Sequence, residues 1–289
     1  ALTTGGSNIS LGYQAHLALV SGDNNVAIGV NAADAMAVGE SENIAIGTSA
    51  LGGMDEGTAG GDIDGNIAIG HAALVGGDLA GNDRHAQTGT IAIGKDALTA
   101  LTSGAGNTAI GYLAMATSTV NHSNVAIGYA AMRYSNGNES QNVAIGYEAG
   151  TSMDNNDSSK SILIGYRAGK GGTGEIDRCV VIGDGAMDGT GAVGAQQNIF
   201  IGNDAGGGTW TTAASNSNVA IGATAMSAAL NGALGNTALG HDTLKALTSG
   251  DYNVAVGYSA LDAGTTVNNS VAIGRNAMGG VPSGQAVEY

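Results

Sequence analysis

NVAIGYAAM at residues 124–132 returns as NVAIGYEAG at 142–150 and as NVAVGYSAL at 253–261. An active site is assembled from unlike parts, so a phrase that recurs points to architecture before chemistry. Val and Ile alternate with Ala, and the run closes on Gly, which is the pattern of a short strand ending in a bend. The phrase can be followed by its glycine through Gly12, Gly29, Gly47, Gly70, Gly94, Gly111, Gly128, Gly146, Gly165, Gly183, Gly202, Gly222, Gly240, Gly257 and Gly274, fifteen copies spaced 17 to 24 residues apart. Ala stands three residues after the glycine in fourteen of the fifteen, and Thr243 is the exception. A repeat of this length has no room for a helix pair, and its Gly and Asn are costly in helix interiors. The spacing therefore predicts an all-β chain, a parallel β-solenoid of about fifteen coils, with residues 1–280 as one repeat domain and 281–289 as a tail leading to a cap or a further segment.

Stacked coils put like residues on like. The column before the strand holds Asn8, Asn25, Asn43, Asn66, Asn107, Asn124, Asn142, Asn198, Asn218, Asn236 and Asn253, with Thr90, Ser161, Cys179 and Ser270 as substitutes. Stacked amides can hydrogen-bond along the axis, so the column reads as an Asn ladder in which Cys179 fills one rung. Within the strand, the branched residues are expected to fill the coil. The Ala and Gly face, too small for a core, is expected to meet a neighbouring chain closely in a parallel homotrimer.

Composition agrees with an ordered chain of small side chains. Gly occupies 51 of 289 positions, against one Phe, one Trp and one Pro, which is wrong both for an aromatic-filled core and for collagen. Charged residues are 11 % of the chain and hydrophobic residues 43 %, which argues against disorder. A net charge of −15 repels a phosphate backbone, so nucleic acid is not an expected partner. No apolar run has the length of a membrane span, so membrane insertion by this segment is not expected either. The single cysteine rules out an internal disulfide framework.

The phrases NVAIGYAAM, NIAIGTSAL, NTAIGYLAM and SVAIGRNAM resemble the head repeats of trimeric autotransporter adhesins of the YadA type, and equally the similar repeats of bacteriophage tail fibres. The resemblance covers nearly the whole chain. It implies a left-handed parallel β-roll assembled as a homotrimer, placed outside a cell or on a virion and used for attachment to a cell-surface glycan or receptor. The coils run longer than the repeat common in adhesin heads, which leans toward the phage-fibre version.

Few residues suggest chemistry. GTIAIGKD at 89–96 approaches a phosphate-binding loop, but Asp96 stands where the metal-binding hydroxyl belongs and Gly94 is the repeat glycine. The five histidines have no ligand spacing and read as surface residues. No Ser or Cys can be matched to a His and a carboxylate, so no enzyme is expected. Asp55, Glu56, Asp62 and Asp64, in the long insertion 52–65, supply hard oxygens that suit calcium, or form a solvated acidic loop. Tyr112, Tyr129, Tyr147 and Tyr166 occupy the position after the repeat glycine in four successive coils. That column also holds Lys95, Asp184 and Arg275, and so faces solvent. The tyrosines read either as a ladder of rings that stabilise one another or as platforms for sugar rings, each weak and additive through multivalency. Three readings of function remain: an attachment fibre, a passive spacer within a longer fibre, and an ice-binding solenoid. The last would want a regular threonine row, whereas Thr90, Thr108, Thr190 and Thr237 are scattered.

Overall fold

The computed structural model describes residues 4–53, 63–76, 87–153 and 158–280. Within them the chain is all-β and forms a parallel β-solenoid of stacked coils, in two compact units, 1–141 and 142–289. The expected tail at 281–289 lies outside the described residues, and the repeat pattern by itself marks no boundary between the units.

The first unit carries β1 (Ile9–Leu11), β2 (Val26–Ile28), β3 (Ile44–Ile46), β4 (Ile67–Ile69), β5 (Ile91–Ile93), β6 (Thr108–Ile110) and β7 (Val125–Ile127). The second carries β8 (Val143–Ile145), β9 (Ile162–Ile164), β10 (Ile176–Asp177), β11 (Val180–Ile182), β12 (Ala195–Gln196), β13 (Ile199–Ile201), β14 (Val219–Ile221), β15 (Thr237–Leu239), β16 (Val254–Val256) and β17 (Val271–Ile273). In each unit the repeat strands pair in parallel and in phrase register, as Ala109 with Ala126 between β6 and β7 and Ala220 with Ala238 between β14 and β15. The short β10 and β12 form a separate parallel pair.

The interior is the reverse of the expected one. From β2 to β17 each strand of the phrase buries its central residue and leaves the flanking residues, mostly Val and Ile, partly exposed on the outer surface, while β1 is exposed throughout. The coil is filled by the Asn column, the strand Ala, the Ala three residues after the glycine, and the Leu or Met that follows it, such as Leu98, Met115, Met132 and Leu244. These side chains enclose a narrow interior, wide enough for Ala opposite Leu but not for two rows of branched residues. The chain compensates where the strand residue is largest, whereas Val181 is accommodated with Met187 six residues on. Leu163 and Phe200 replace Ala, and six residues later stand Gly169 and Gly206, where an added Cβ would lie 2.6 Å from Leu163 Cδ2 and 3.0 Å from the Phe200 ring. Trp210 packs edge-on against Phe200 at 6.1 Å and donates its indole N–H to the Gly206 carbonyl.

The close approach that the glycines permit is between successive coils of one chain. The repeat glycines hold φ between +121° and +143°, and a Cβ on Gly94 would sit 2.5 Å from the Gly111 carbonyl oxygen. Three further positions per coil adopt left-handed φ, most often without glycine, two of them in the turn after the strand, for example Leu113 at 58° and Met115 at 51°. Their amides bond in opposite directions, Leu113 N–H to the Lys95 carbonyl of one neighbouring coil and Met115 N–H to the Ala131 carbonyl of the other. Those bonds offset a conformation that L-residues otherwise avoid.

The Asn ladder is present and buried. Asn43 Oδ1 accepts the Asn66 main-chain N–H at 3.0 Å and its Nδ2–H at 3.1 Å, while Asn43 Nδ2 donates to the Ile63 carbonyl at 2.6 Å. The same arrangement links Asn107 to Asn124 in the first unit and runs through Asn198, Asn218, Asn236 and Asn253 in the second. Asn25 and Asn142 are rungs of the same column, their side-chain amides donating to the Glu40 and Ser158 carbonyls. Each rung thus ties its strand both to the next coil and to the far side of its own. Thr90 is the weak rung, with a buried hydroxyl that lacks a hydrogen-bond partner.

Candidate functional site

Because Asn, Ala and Gly point inward, the alternate residues form one outer face in each unit. Two aliphatic rows run along it, for instance Ile67, Ile91, Thr108 and Val125 beside Ile69, Ile93, Ile110 and Ile127. The residue after the glycine has the same parity and continues that face as a third row. Tyr112 and Tyr129 stack there in the first unit, with ring centroids 5.5 Å apart and planes tilted by 32°. Tyr147 and Tyr166 stack in the second at 5.2 Å and 11°. A third pair, His241 and Tyr258, stacks at 5.3 Å and 9°. The tyrosines are 41–51 % exposed, and the strand's own alternation is enough to turn them outward.

Rings stacked along the axis turn their faces to one another and their edges and hydroxyls to solvent. Cations close two of the stacks: Lys95 Nζ lies 5.7 Å from the centroid of Tyr112, and the Arg275 guanidinium 5.7 Å from that of Tyr258.

Beside this row lie three polar corners. Asp96 faces His71 and Lys95, each at 3.8 Å. Asp242 is saturated: the Thr224 hydroxyl, the Lys245 ammonium and His241 surround it, and the Thr224 and Lys245 hydrogen bonds hold its carboxyl below the usual range. The third is looser. Lys170 Nζ donates to Glu148 Oε2 at 3.0 Å, but Arg167 lies 3.9 Å from both Glu148 and Asp188, beyond hydrogen-bond range. Burial pushes the Asp188 carboxyl up, against the pull of Arg167.

Of the candidate metal ligands, Asp55, Glu56 and Asp62 lie outside the described residues. Asp64 Oδ1 accepts the Ser41 main-chain N–H at 2.6 Å, a link between coils. Among the described residues no group of three or more His, Cys, Asp or Glu side chains could hold a metal ion. Asp64 belongs to a second ladder that the repeat analysis missed, two residues before the Asn column, where a side chain accepts an amide of the adjacent coil. Gly6 N–H donates to Asp23, Gln196 N–H to Asn216, and Leu234 N–H to Asp251. The signal was available in the Asx or Ser that stands two residues before Asn25, Asn43, Asn66, Asn142, Asn218 and Asn253.

Cys179 fills its rung, fully buried, with Sγ 3.2 Å from the Ala195 carbonyl oxygen. Burial pushes its thiol up to about 11, so it is held as the unreactive thiol. His16 departs from the expected surface position. It is 8 % exposed, burial lowers its pKa, and its Nδ1 lies 2.8 Å from the Ser10 hydroxyl, which occupies the strand position held by Ala in most repeats. His16 Nε2 has no hydrogen-bond partner, so no carboxylate orients the ring. His71 and His241 are exposed on the tyrosine row, and His85 lies outside the described residues.

No protein-family model, curated protein or solved structure matches the chain.

Proposed function

We propose that this chain is a segment of an extracellular attachment fibre, on a cell surface or a virion, that associates with copies of itself and offers its tyrosine row to a cell-surface glycan. The observation that carries this reading is the outer face, on which two rows of branched aliphatic side chains run beside stacked tyrosines while the interior is already filled. Apolar rows of this length are more than a soluble monomer ordinarily leaves uncovered. The likeness of the repeats to those of trimeric adhesins and tail fibres supports a parallel homotrimer as the assembly. In it the aliphatic rows, rather than Ala and Gly, are the contact, and the tyrosines stand at its margin. The role is one of binding rather than catalysis, with no cofactor beyond the calcium that the acidic insertion suits.

Self-association is tested by placing charge on the contact. Ile93→Lys with Ile110→Lys is expected to convert the assembly to monomer in sedimentation velocity while the circular dichroism spectrum is kept. A parent protein that sediments as a monomer overturns the assembly. Attachment is tested by replacing Tyr112, Tyr129, Tyr147 and Tyr166 together with Ser. The expected result is loss of binding to glycan-bearing cells, with melting lowered by only a few degrees, since an aromatic pair is worth about 0.5–1.5 kcal/mol beyond its burial. The ring stacking itself favours a second reading, a passive spacer whose tyrosines only brace the coils. On that reading melting falls and the parent protein binds no cells.

A further inference from the structure

Three ring stacks, one on the outer face of the first unit and two on that of the second, differ in how they end. Tyr112 is closed by Lys95, and Tyr258 lies between His241 and Arg275. The stack of Tyr147 on Tyr166 stops short: Tyr166, 51 % exposed, is covered by Tyr147 on one side, and the adjacent coil brings the short side chain of Asp184 to the same column. The Gly185 N–H reaches the Tyr166 carbonyl at 2.9 Å, so glycine follows in the column that Glu148 and Arg167 occupy on the coils before. A Cβ on Gly185 would lie 2.5 Å from Asp204 Oδ1 and meet no main chain, so only the Asp204 carboxylate leans over that position. The result is a shallow notch beside the Tyr166 ring and Arg167, with Asp184 and Gly185 as its floor and the Asp204 carboxylate leaning into it.

The Arg167 guanidinium beside this notch has donors to spare. Its Nε is buried without a hydrogen-bond partner, and its ion pairs to Glu148 and Asp188 are both 3.9 Å long. Nε itself is out of a ligand's reach, but the side chain is 37 % exposed, so the terminal N–H groups of the guanidinium are the ones an incoming oxygen meets. The saturated Asp242 corner and the Leu113 and Ala130 that follow the first two tyrosines offer nothing comparable.

We propose that Tyr166, Arg167, Asp188 and the Gly185 notch form a subsite for one uncharged pyranose ring of a glycan. This rests on the attachment reading above and names the ligand class of one place on that face. The chemistry is complementary at each point. The C–H face of a pyranose packs on the uncovered side of the tyrosine ring. Vicinal hydroxyls accept from the guanidinium and donate to the Asp188 carboxylate, a pair of charge-assisted hydrogen bonds. Charge selects against acidic sugars: four carboxylates (Glu148, Asp184, Asp188, Asp204) stand against two cations (Arg167, Lys170), in a chain of net charge −15.

The test titrates the intact chain with neutral gluco-, manno- and galacto-oligosaccharides and with sulfated and sialylated counterparts, and reads affinity and melting together. Binding is expected from the neutral panel. Tyr166→Ser, Arg167→Gln and Gly185→Asn should each weaken it at least tenfold with melting kept within a few degrees. Gly185→Asn places a side chain where the Asp204 carboxylate leans and so crowds the notch, and its left-handed φ is one that Asp204 already adopts in the same column. Tyr134→Ser, on an exposed ring away from this row, is expected to bind as the parent does. Parent-like affinity in the three notch variants, binding of the anionic panel alone, or no binding of the neutral panel overturns the subsite. Cell attachment measured in parallel separates the two ideas, because attachment that survives Arg167→Gln leaves the fibre reading standing and removes this one.

Discussion

Gly94→Ala is expected to unfold most of the first unit's cooperative structure at temperatures where the parent is folded. The added Cβ would lie 2.5 Å from the Gly111 carbonyl oxygen and 2.7 Å from its carbon, at a φ of +133° that side chains rarely adopt. The obstacle is main chain held by hydrogen bonds on both sides, so it cannot turn away as a side chain would. Backbone strain and overpacking add to about 3–5 kcal/mol, and melting should fall by roughly 10 °C or more. Gly65→Asn is the matched control. Gly65 has φ +67° with nothing within 4 Å of a Cβ, and Asn24 and Asn269 hold left-handed φ at the same repeat position. That variant should melt within a few degrees of the parent. Equal losses from the two substitutions would mean that conformation alone, and not the stacking distance, makes the repeat glycine necessary.

Ala220→Leu should destabilise the second unit, whether or not copies assemble. Ala220 is fully buried inside its own coil, six residues before the buried Met226. Three added carbons have no space there, and overpacking of this kind costs about 1–3 kcal/mol. The same chain already shows the remedy, since Leu163 is followed at that spacing by Gly169 and Phe200 by Gly206. Met226→Gly alone should cost about 2–5 kcal/mol by opening a cavity. Combined with Ala220→Leu it should recover a large part of both losses, a coupling of about 1–3 kcal/mol in a double-mutant cycle. Additive losses would refute the pairing of these two positions. Altered sedimentation with unchanged melting would instead return the alanine row to a contact between chains.

The candidate site was partly legible in the same columns. The exposure of Tyr112, Tyr129, Tyr147 and Tyr166 could be read from the Lys, Asp and Arg that share their position. The same column names the residue that follows each ring, but not its reach: only the geometry shows that Lys95 extends over Tyr112, whereas Asp184 is too short to cover Tyr166. The spare donors of Arg167 were equally hidden, since Glu148 and Asp188 belong to coils on either side of it and only stacking brings them to 3.9 Å. The second ladder through Asp23, Asp64, Asn216 and Asp251 left a recurring trace in the sequence, but one blurred by the variety of residues that can accept an amide proton.

By itself the sequence determined the coil. A glycine every 17 to 24 residues, an Asn four positions before it and an Ala three positions after it specify parallel strands stacked in register, and the Asn column specifies a ladder, because only stacking lets one amide satisfy the next. Only the tertiary structure decided which face lies inside. A period of two separates Val and Ile from Ala and Asn, but it says nothing about which set the rest of the coil folds over. That choice depends on volume: the Leu or Met four residues after the glycine already fills a narrow interior, leaving room for Ala across from it and sending the branched rows outward. It also depends on polarity. The ladder's amides need carbonyls on the far side of their own coil, such as the Ile63 oxygen that Asn43 reaches, and those carbonyls lie inside.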